Sequence, residues 1–296
     1  MRNFNEVGAL RAYLRGVRTE GKIVGFVPTM GALHHGHFSL LQRAKNECDI
    51  AVVSVFVNPT QFSPNEDFAA YPRDLNKDSQ LCAHAGVDAI FAPSSEEIYP
   101  QGFQTYVECG EISQALEGAR RPNHFRGVAT VVTKLLNIVQ PNIAYFGQKD
   151  YQQFLVIERM ARDLAMNATI QMAATARDTD GLALSSRNAY LTPEGRLLAP
   201  ALYHALQSAA QAVAEGASDG RELQRELEAQ IDAIAGIQRD YLALVHPDTL
   251  EPQADLSQGT TLAVGAIYIG KTRLIDNLLI APPNAPAPRL RQYKPL

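Results

Sequence analysis

The stretch that decides the fold is KIVGFVPTMGALHHGH, residues 22–37. Residues 22–27 form an apolar run that is typical of a buried strand, and residues 36–47 have the apolar spacing of a helix. A strand, a glycine-containing turn and a helix in this order are typical of an α/β sheet that presents a helix N-terminus to an anion. His34 and His37 are three residues apart, so both imidazoles are expected to face the same side. Together with free backbone N–H groups of the turn, they predict a polyphosphate site.

Strands and helices alternate through the first part of the chain. Further strands are predicted at residues 50–57, 89–92, 143–147 and 169–174, and further helices at residues 75–85, 125–139 and 152–164. Nearly continuous apolar strands that alternate with helices predict a mostly parallel, doubly wound sheet covered on both faces. Ligands of such sheets bind at the carboxyl ends of the strands.

The pattern changes after residue 177. Two Ala-rich helices are predicted within residues 194–235, with a break at 215–220, and strands follow at 241–245, 261–269 and 273–280. Helices followed by strands predict a smaller α+β domain. The chain therefore divides into an α/β domain over residues 1–176, the smaller domain over 177–283 and a Pro-rich tail over 284–296. The tail is expected to be extended or disordered.

Composition limits the classes of function. Hydrophobic residues make up 46% of the chain and charged residues 20%, as in an ordinary globular protein. The 27 basic and 31 acidic side chains give a net charge of −4, which disfavours nucleic-acid and anionic-membrane partners. The N-terminus lacks the apolar core of a signal peptide, and no apolar run approaches the ~20 residues of a membrane span. Cys48, Cys82 and Cys109 have no metal-ligand spacing and are expected to be reduced thiols. These features predict a cytoplasmic protein.

One motif match is misleading. The segment GAIYIGKT, residues 265–272, satisfies the P-loop pattern. A phosphate-binding loop follows a strand and opens a helix, whereas this match has an Ala-Ile-Tyr-Ile interior and precedes another strand-like run. We interpret residues 270–271 as a hairpin turn.

Polar side chains follow the second predicted strand in FVNPTQF, residues 56–62. Asn58 and Gln61 offer donors and acceptors without net charge, which suits a substrate with hydroxyl and carboxylate groups. A simple turn that caps the next segment is the alternative. Farther on, Asp78 could approach a magnesium ion, although solvated loop charges are the default interpretation of this acidic segment. Arg121 and His124 form a basic spot before a helix, suited to an anion or to a surface cap.

Two later segments also offer groups for a nucleotide. FGQKDYQQ, residues 146–153, again follows a strand, with Gly147 allowing close backbone approach. Lys149 supplies a positive charge for phosphate, and Asp150 an acceptor for ribose hydroxyls. The segment DTDGLALSSRN, residues 178–188, carries hydroxyls and Arg187 on a glycine-containing loop between the two predicted domains, which suits a lid over a triphosphate.

The H-x-G-H turn resembles the first signature of the nucleotidylyltransferase superfamily, and the loop at 178–188 resembles its second. Together the motifs resemble one family, pantothenate synthetase (pantoate–β-alanine ligase), over roughly residues 22–280. The segments that carry this resemblance are PTMGALHHGH, FVNPTQF with EDFAAYPRD, RPNHFRGVATVV, FGQKDYQQ and DGLALSSRN. Departures from the family pattern are Arg187 in place of a frequent lysine, His246 in place of a frequent acid, and Lys77, which leaves Asp78 as the firm magnesium candidate.

The resemblance implies a Rossmann-like ATP- and pantoate-binding domain with a smaller lid domain, and a homodimer. It implies that pantoate, β-alanine and ATP, with Mg²⁺, react through pantoyl adenylate to give pantothenate, AMP and pyrophosphate. The catalytic residues it implies are His34, His37, Lys149, Ser185 and Arg187. The ATP-binding residues it implies are Met30, His34, His37, Gly147, Lys149, Asp150, Ala176, Leu184, Ser185, Ser186 and Arg187. Those implied for pantoate are Asn58, Gln61, Arg121 and Gln153, and the one implied for Mg²⁺ is Asp78.

Three other functions fit part of the pattern. The histidines of residues 34–37 could hold zinc, but no further cluster of ligands lies nearby in the sequence. A sibling adenylyl- or cytidylyltransferase would share the H-x-G-H turn, yet it would lack the segments that frame pantoate. A non-catalytic nucleotide sensor would need only the phosphate site, and it would form no AMP from pantoate and β-alanine.

Overall fold

The computed structural model describes residues 1–64 and 66–295, so Leu296 at the end of the predicted tail lies outside the described residues. The chain forms two compact units. The first comprises Met1–Gly147, Gln152–Ala173 and Arg291–Leu296, and the second Gln148–Tyr151 and Ala174–Leu290. The three-part domain division stays a prediction. Among the described residues, no helix has both the length and the apolar character needed to cross a membrane.

The elements, in chain order, have the following bounds. The strands are β1 Arg2–Phe4, β2 Val24–Thr29, β3 Ile50–Val55, β4 Ala89–Phe91, β5 Ile143–Gly147, β6 Thr169–Ala173, β7 Ile237–Val245, β8 Thr261–Ile269, β9 Thr272–Ile280 and β10 Gln292–Tyr293. The helices are α1 Val7–Thr19, α2 His35–Glu47, α3 Leu75–His84, α4 Ser95–Ile98, α5 Glu117–Arg120, α6 His124–Val139, α7 Tyr151–Asp163, α8 Pro193–Leu198, α9 Ala201–Ala214 and α10 Gly220–Asp232.

The first unit is built on a seven-stranded sheet in the order β1-β4-β3-β2-β5-β6-β10. Strands β1 to β6 are parallel, and β10 pairs antiparallel with β6. The strand order reverses between β2 and β5, and this switch point is where open α/β sheets bind ligands. The carboxyl end of β2 leads into the turn before His34, and β5 ends at Gly147. The sheet therefore positions two of the predicted site segments.

Apolar strands explain why this sheet is buried on both faces. Strand β2 pairs in register with β3, Val24 opposite Ile50, and the side chains of Val24, Phe26 and Val27 are fully buried. A strand covered on both faces has no polar face, which accounts for the continuous apolar runs of the sequence.

The second unit contains an antiparallel sheet in the order β7-β8-β9, with α9 and α10 packed on it. Its core joins leucines and alanines of these helices, such as Leu206 and Leu227, to Ile267 of β8 and Leu274 of β9. Residues 265–269 lie in β8, and Gly270 at φ 57° turns the chain into β9. The P-loop match is therefore a strand followed by a hairpin turn, as its apolar interior indicated.

The predicted fold class is confirmed: a doubly wound, mostly parallel α/β sheet with a smaller α+β part toward the C-terminus. The sequence did not predict β1, α1, α4, α5 or β10. It also joined α8 and α9 into one helix, whereas the chain breaks between Leu198 and Ala201. Within the segment predicted to be a tail, Gln292–Tyr293 forms an edge strand opposite Ile170 and Gln171.

Candidate active site

The turn that follows β2 is shaped by a buried carboxylate. Gly31 and Ala32 have positive φ angles, 80° and 50°. The N–H of Ala32 donates to Oδ2 of Asp78 at 3.0 Å and the N–H of Leu33 to Oδ1 at 2.7 Å. A Cβ on Gly31 would meet Oδ2 at 2.8 Å, so glycine is required by both the backbone angle and the close approach. Asp78 therefore holds this turn from α3.

Asp78 is only 2% exposed. Burial raises the pKa of its carboxyl, and the hydrogen bonds from Leu33 and Ala32 oppose that rise. Both carboxylate oxygens already accept backbone N–H groups. Within residues 1–64 and 66–295, moreover, no three His, Cys, Asp or Glu side chains are grouped so that they could hold a metal ion. The geometry thus gives Asp78 a part in shaping the turn, and its predicted part in Mg²⁺ binding stays a prediction.

His34 and His37 cap the start of α2 reciprocally. The Nδ1 atom of His34 accepts the N–H of Gly36 at 3.1 Å, and Nδ1 of His37 accepts the N–H of His34 at 3.3 Å. The two ring centroids are 4.1 Å apart. A ring nitrogen that accepts an N–H carries no proton, so each neutral imidazole has its proton on Nε2. The cap thus makes Nε2 the donor atom of both rings.

Five backbone N–H groups of this turn are not free, contrary to expectation. Those of Gly31, Ala32, Leu33, His34 and Gly36 donate to side chains of the protein. The Thr29 hydroxyl accepts the first of these and donates to the Ser54 carbonyl. These backbone groups therefore hold the turn itself rather than an anion.

Asn58 and Gln61 form a buried pair, 1% and 8% exposed. The Asn58 amide donates to Oε1 of Gln61 at 3.0 Å, and its own oxygen accepts the Tyr99 hydroxyl at 2.8 Å. The Gln61 amide approaches Sδ of Met30 at 2.9 Å. Asn58 also caps the short 3-10 turn Pro59–Gln61. Asn58 therefore caps the turn, as the alternative interpretation predicted, and it also orients Gln61. Its contact with pantoate stays a prediction.

A second network holds the backbone of Gln61. Arg121 donates to both carboxylate oxygens of Glu66, at 2.6 and 2.9 Å, and contacts Nε2 of His124 at 3.1 Å. Nδ1 of His124 lies 2.8 Å from the Gln61 carbonyl. Burial, with the charge of Arg121, lowers the pKa of His124 to about 4. The ring is therefore neutral near pH 7, and its Nδ1–H donates to that carbonyl.

The pairing of Arg121 with Glu66 bears on its predicted contact with pantoate. Burial tends to raise the pKa of Glu66, but the hydrogen bonds and charge of Arg121 outweigh it and lower the pKa. The Arg121 guanidinium is thus neutralised by an ionised carboxylate. Glu66 and Tyr99 were not singled out as site residues, although the acidic segment and the basic spot that pair here were both visible in the sequence.

The remaining predicted residues of the first unit lie on β5 and α7. Gly147 is the last residue of β5, opposite Ala173 of β6. Gln153 is half-buried in the first turn of α7. Its neighbour Gln152 is buried and ties α7 to the start of α5, because its amide donates to Ala115 O at 2.8 Å and accepts the N–H of Glu117.

Lys149 and Asp150 lie in the second unit, in the 3-10 turn Gln148–Asp150. Their charged groups are 3.8 Å apart, and the Lys149 side chain is 20% exposed. Asn277 of β9 donates to the carbonyl of Lys149 at 2.8 Å. No motif pointed to Asn277. The sequence signal was a pair of polar residues, Asp276 and Asn277, within the apolar run at residues 274–280.

The other predicted ATP-binding residues share one loop of the second unit. The N–H of Leu184 donates to Ala176 O at 2.9 Å, which closes the loop at its base. The hydroxyl of Ser185 accepts the N–H of Arg187 at 3.3 Å and caps the 3-10 turn Ser186–Tyr190. The structure thus brings Ala176, Leu184, Ser185, Ser186 and Arg187 into one closed segment.

The chain is similar to known proteins over most of its length. The family model described as Pantoate-beta-alanine ligase matches residues 2–279. A pantothenate synthetase of Moorella thermoacetica is 50% identical over 274 residues, 93% of this chain and 96% of that protein. One of Herpetosiphon aurantiacus is 53% identical over 267 residues, 90% and 97% of the two chains.

Solved structures agree with these matches. The crystal structure of pantothenate synthetase from Thermus thermophilus has a TM-score of 0.90 and 49% identity, and the match covers 95% of this chain and 100% of that one. The pantoate-beta-alanine ligase of Francisella tularensis, complexed with beta-gamma ATP and beta-alanine, has a TM-score of 0.77 and 38% identity, with 94% and 97% covered.

Proposed function

This chain belongs to the pantoate–β-alanine ligase family, a ligase family of pantothenate biosynthesis, and we propose that it joins pantoate to β-alanine through a pantoyl adenylate made from ATP. The observation that carries this proposal is the pair of capped histidines, His34 and His37, at the start of α2 beside the sheet's switch point. In the first step the pantoate carboxylate attacks the α-phosphate and pyrophosphate leaves. In the second, the β-alanine amine attacks the acyl carbon and AMP leaves.

The first step needs donors and cations for the charge that develops on the leaving pyrophosphate. We propose that His34 and His37 donate to phosphate oxygens through Nε2–H, the atom that their cap leaves protonated. Lys149 and Arg187 would add positive charge, and Ser185 and Ser186 hydroxyl donors. Met30, Gly147, Asp150, Ala176 and Leu184 would contact the nucleotide. The Francisella relative, complexed with beta-gamma ATP and beta-alanine, supports ATP and β-alanine as substrates.

We propose that uncharged amides hold pantoate. Gln61 is oriented by Asn58 through its side chain and by His124 through its backbone, so the amide is held in place before substrate binds. Gln153 would contribute a second amide. Because Arg121 is already paired with Glu66, we expect it to act on pantoate through the Gln61 network.

Three further predictions extend this proposal: magnesium, a homodimer and a cytoplasmic location. Both oxygens of Asp78 already accept a backbone N–H group, and its part in Mg²⁺ binding stays a prediction. No step is therefore derived through a protein-held metal. Mg²⁺ on the phosphates of ATP would be part of the substrate.

Pyrophosphate exchange tests the proposal. With ATP and pantoate but no β-alanine, the enzyme should exchange labelled pyrophosphate into ATP, because adenylate formation is reversible. Added β-alanine should then release AMP and pantothenate in equal amounts. Exchange without pantoate would indicate another acceptor, as in a sibling nucleotidylyltransferase. ATP binding with neither exchange nor AMP formation would indicate a nucleotide sensor. Product formation without any pyrophosphate exchange would contradict reversible formation of the adenylate.

A further inference from the structure

Two adjacent polar residues interrupt the apolar run at residues 274–280 of β9. Asp276 is 4% exposed and Asn277 is 1% exposed, although Leu274 and Ile280 of the same strand pack into the core of the second unit. Burying an amide or a carboxylate is unfavourable unless hydrogen bonds replace those made with water. The partners of these two side chains therefore show why they are polar.

The Asn277 amide is directed at the turn that carries Lys149. Nδ2 donates to the carbonyl of Gln148 at 3.0 Å and to that of Lys149 at 2.8 Å, and Oδ1 accepts from the Gln148 side chain at 3.4 Å. Because one amide binds two successive carbonyls, it restricts the orientation of the backbone in this turn. It therefore also restricts the direction in which the Lys149 side chain projects.

The Asp276 carboxylate is directed at the other segment. Its two oxygens accept from Arg177, one of them at 2.9 Å, and Arg177 also donates to Gly181 O at 3.1 Å. The Arg177 guanidinium lies 4.0 Å from the centre of the Tyr203 ring. Arg177 directly follows Ala176 at the base of the loop that carries Ser185 and Arg187. Asp276 also accepts the N–H of Asn277 at 2.8 Å, so the two anchors are linked.

We propose that Asn277 is a positioning residue for Lys149. We propose likewise that Asp276, through Arg177, positions the loop over residues 176–188. The proposal rests on the proposed function, in which Lys149 and this loop bind ATP. In this proposal Asn277 does not contact the substrate. It orders the turn before ATP binds, so that the free energy of ATP binding is not reduced by the cost of ordering the backbone at Lys149.

The test compares Asn277→Leu, which keeps the volume and removes the hydrogen bonds, with Asp240→Asn as the matched control. Asp240 of β7 pairs with Arg273 of β9 at 2.8 Å, on the same sheet and four residues along β9 from Asn277. In pantoate-dependent pyrophosphate exchange, Asn277→Leu should lower kcat/KM for ATP about 10- to 100-fold and leave the KM for pantoate within about twofold. Asp240→Asn should change neither. Equal kinetics for the two folded variants would overturn the proposal.

A double-mutant cycle separates positioning from general destabilisation. In a Lys149→Met background, Asn277→Leu should have no further effect on kcat/KM for ATP, because its effect passes through Lys149. Additive losses would contradict the proposal. If Asn277→Leu does not fold, Asn277→Ser, which keeps one donor, should give a smaller loss with the same cycle.

The same cycle distinguishes a failure of the proposed function of Lys149 from a failure of the positioning role of Asn277. If Lys149→Met alone leaves exchange unchanged, the proposed phosphate role of Lys149 is wrong, and the positioning proposal falls with it. If Lys149→Met lowers exchange while Asn277→Leu behaves like Asp240→Asn, only the positioning proposal is wrong.

Discussion

The two units hold their predicted site residues in different ways. In the first, these residues hold one another: His34 and His37 exchange cap bonds, and Asn58 orients Gln61 three residues away. In the second, the turn of Lys149 is held from 128 residues away, by Asn277. Site residues that hold one another appear together in one motif. A residue on a distant strand that holds a site residue in place is not marked by any pattern in the sequence around that site residue.

The first prediction tests a support in the first unit that comes from outside the motif it holds, the carboxylate of Asp78. Asp78→Asn keeps the shape, but its single oxygen can accept only one of the two N–H groups of Ala32 and Leu33. The free energy of unfolding should fall by about 1–3 kcal/mol, the usual cost of an unsatisfied buried group. Because the same turn leads into His34, kcat/KM for ATP should fall about 10- to 100-fold.

Asp74→Asn is the matched control for this substitution. Asp74 caps α3 by accepting the N–H of Lys77 at 3.0 Å, and asparagine caps helices equally well. Urea unfolding and steady-state kinetics of both variants check the prediction. If Asp78→Asn leaves ATP kinetics at the level of Asp74→Asn, the turn does not depend on its carboxylate.

Asp78 also shows where sequence interpretation stops. An aspartate near other acids in a loop suggests a metal, and nothing in the sequence says that two backbone N–H groups lie opposite it, 45 and 46 residues away. The same holds for β10, a two-residue strand that pairs with β6 from a Pro-rich segment. By contrast, the strand, turn and helix of residues 22–47 are encoded locally, in apolar runs and glycines, and were predicted.

The Glu66–Arg121–His124 network was predictable from the sequence only in part. Its acidic and basic segments were visible in the sequence, but their pairing was not, since Glu66 and Arg121 are 55 residues apart. Nor could sequence assign a protonation state to His124. That depends on burial and on the guanidinium beside it, both of which are properties of the fold.

The second prediction concerns the pH dependence that His124 imposes. Its pKa is about 4 in the folded protein against 6.5 when unfolded, so below pH 6.5 the unfolded chain binds the proton more strongly. The contribution of His124 to stability is present above pH 6.5 and is lost as the pH falls toward 4. Between pH 6.5 and 5 this loss is about 2 kcal/mol. Glu66, with its lowered pKa, stays ionised in that range.

His124→Asn checks this, because its amide can still donate to the Gln61 carbonyl but does not titrate. Urea unfolding at pH 7.5 and pH 5 should show a smaller loss of stability for the variant than for the parent, by about 2 kcal/mol. The same loss in both would mean that His124 is protonated in the folded protein. The KM for pantoate at pH 7.5 reports separately whether Gln61 has kept its place.

The third prediction, with the smallest effect, asks which ion pair holds the loop over residues 176–188. Arg196 reaches Asp178 at 2.9 Å and also contacts Asp180, but these side chains are 35–43% exposed. Exposed pairs contribute roughly 0–1 kcal/mol, whereas removing one partner of a buried pair leaves an unpaired charge. Asp178→Asn should therefore leave kcat/KM for ATP within about twofold, with little change in unfolding free energy.

Asp276→Asn is the counterpart, since it weakens the Arg177 fork whose side chains are 16% and 5% exposed. It should lower both stability and kcat/KM for ATP more than Asp178→Asn does. The two pairs differ in solvent exposure rather than in charge. Both aspartates pair with an arginine, but Arg177 is 16% exposed and Arg196 is 35% exposed, so water can solvate Arg196 far better once its partner is lost. If the exposed pair matters as much as the buried one, the loop is held at its surface and β9 is not its anchor.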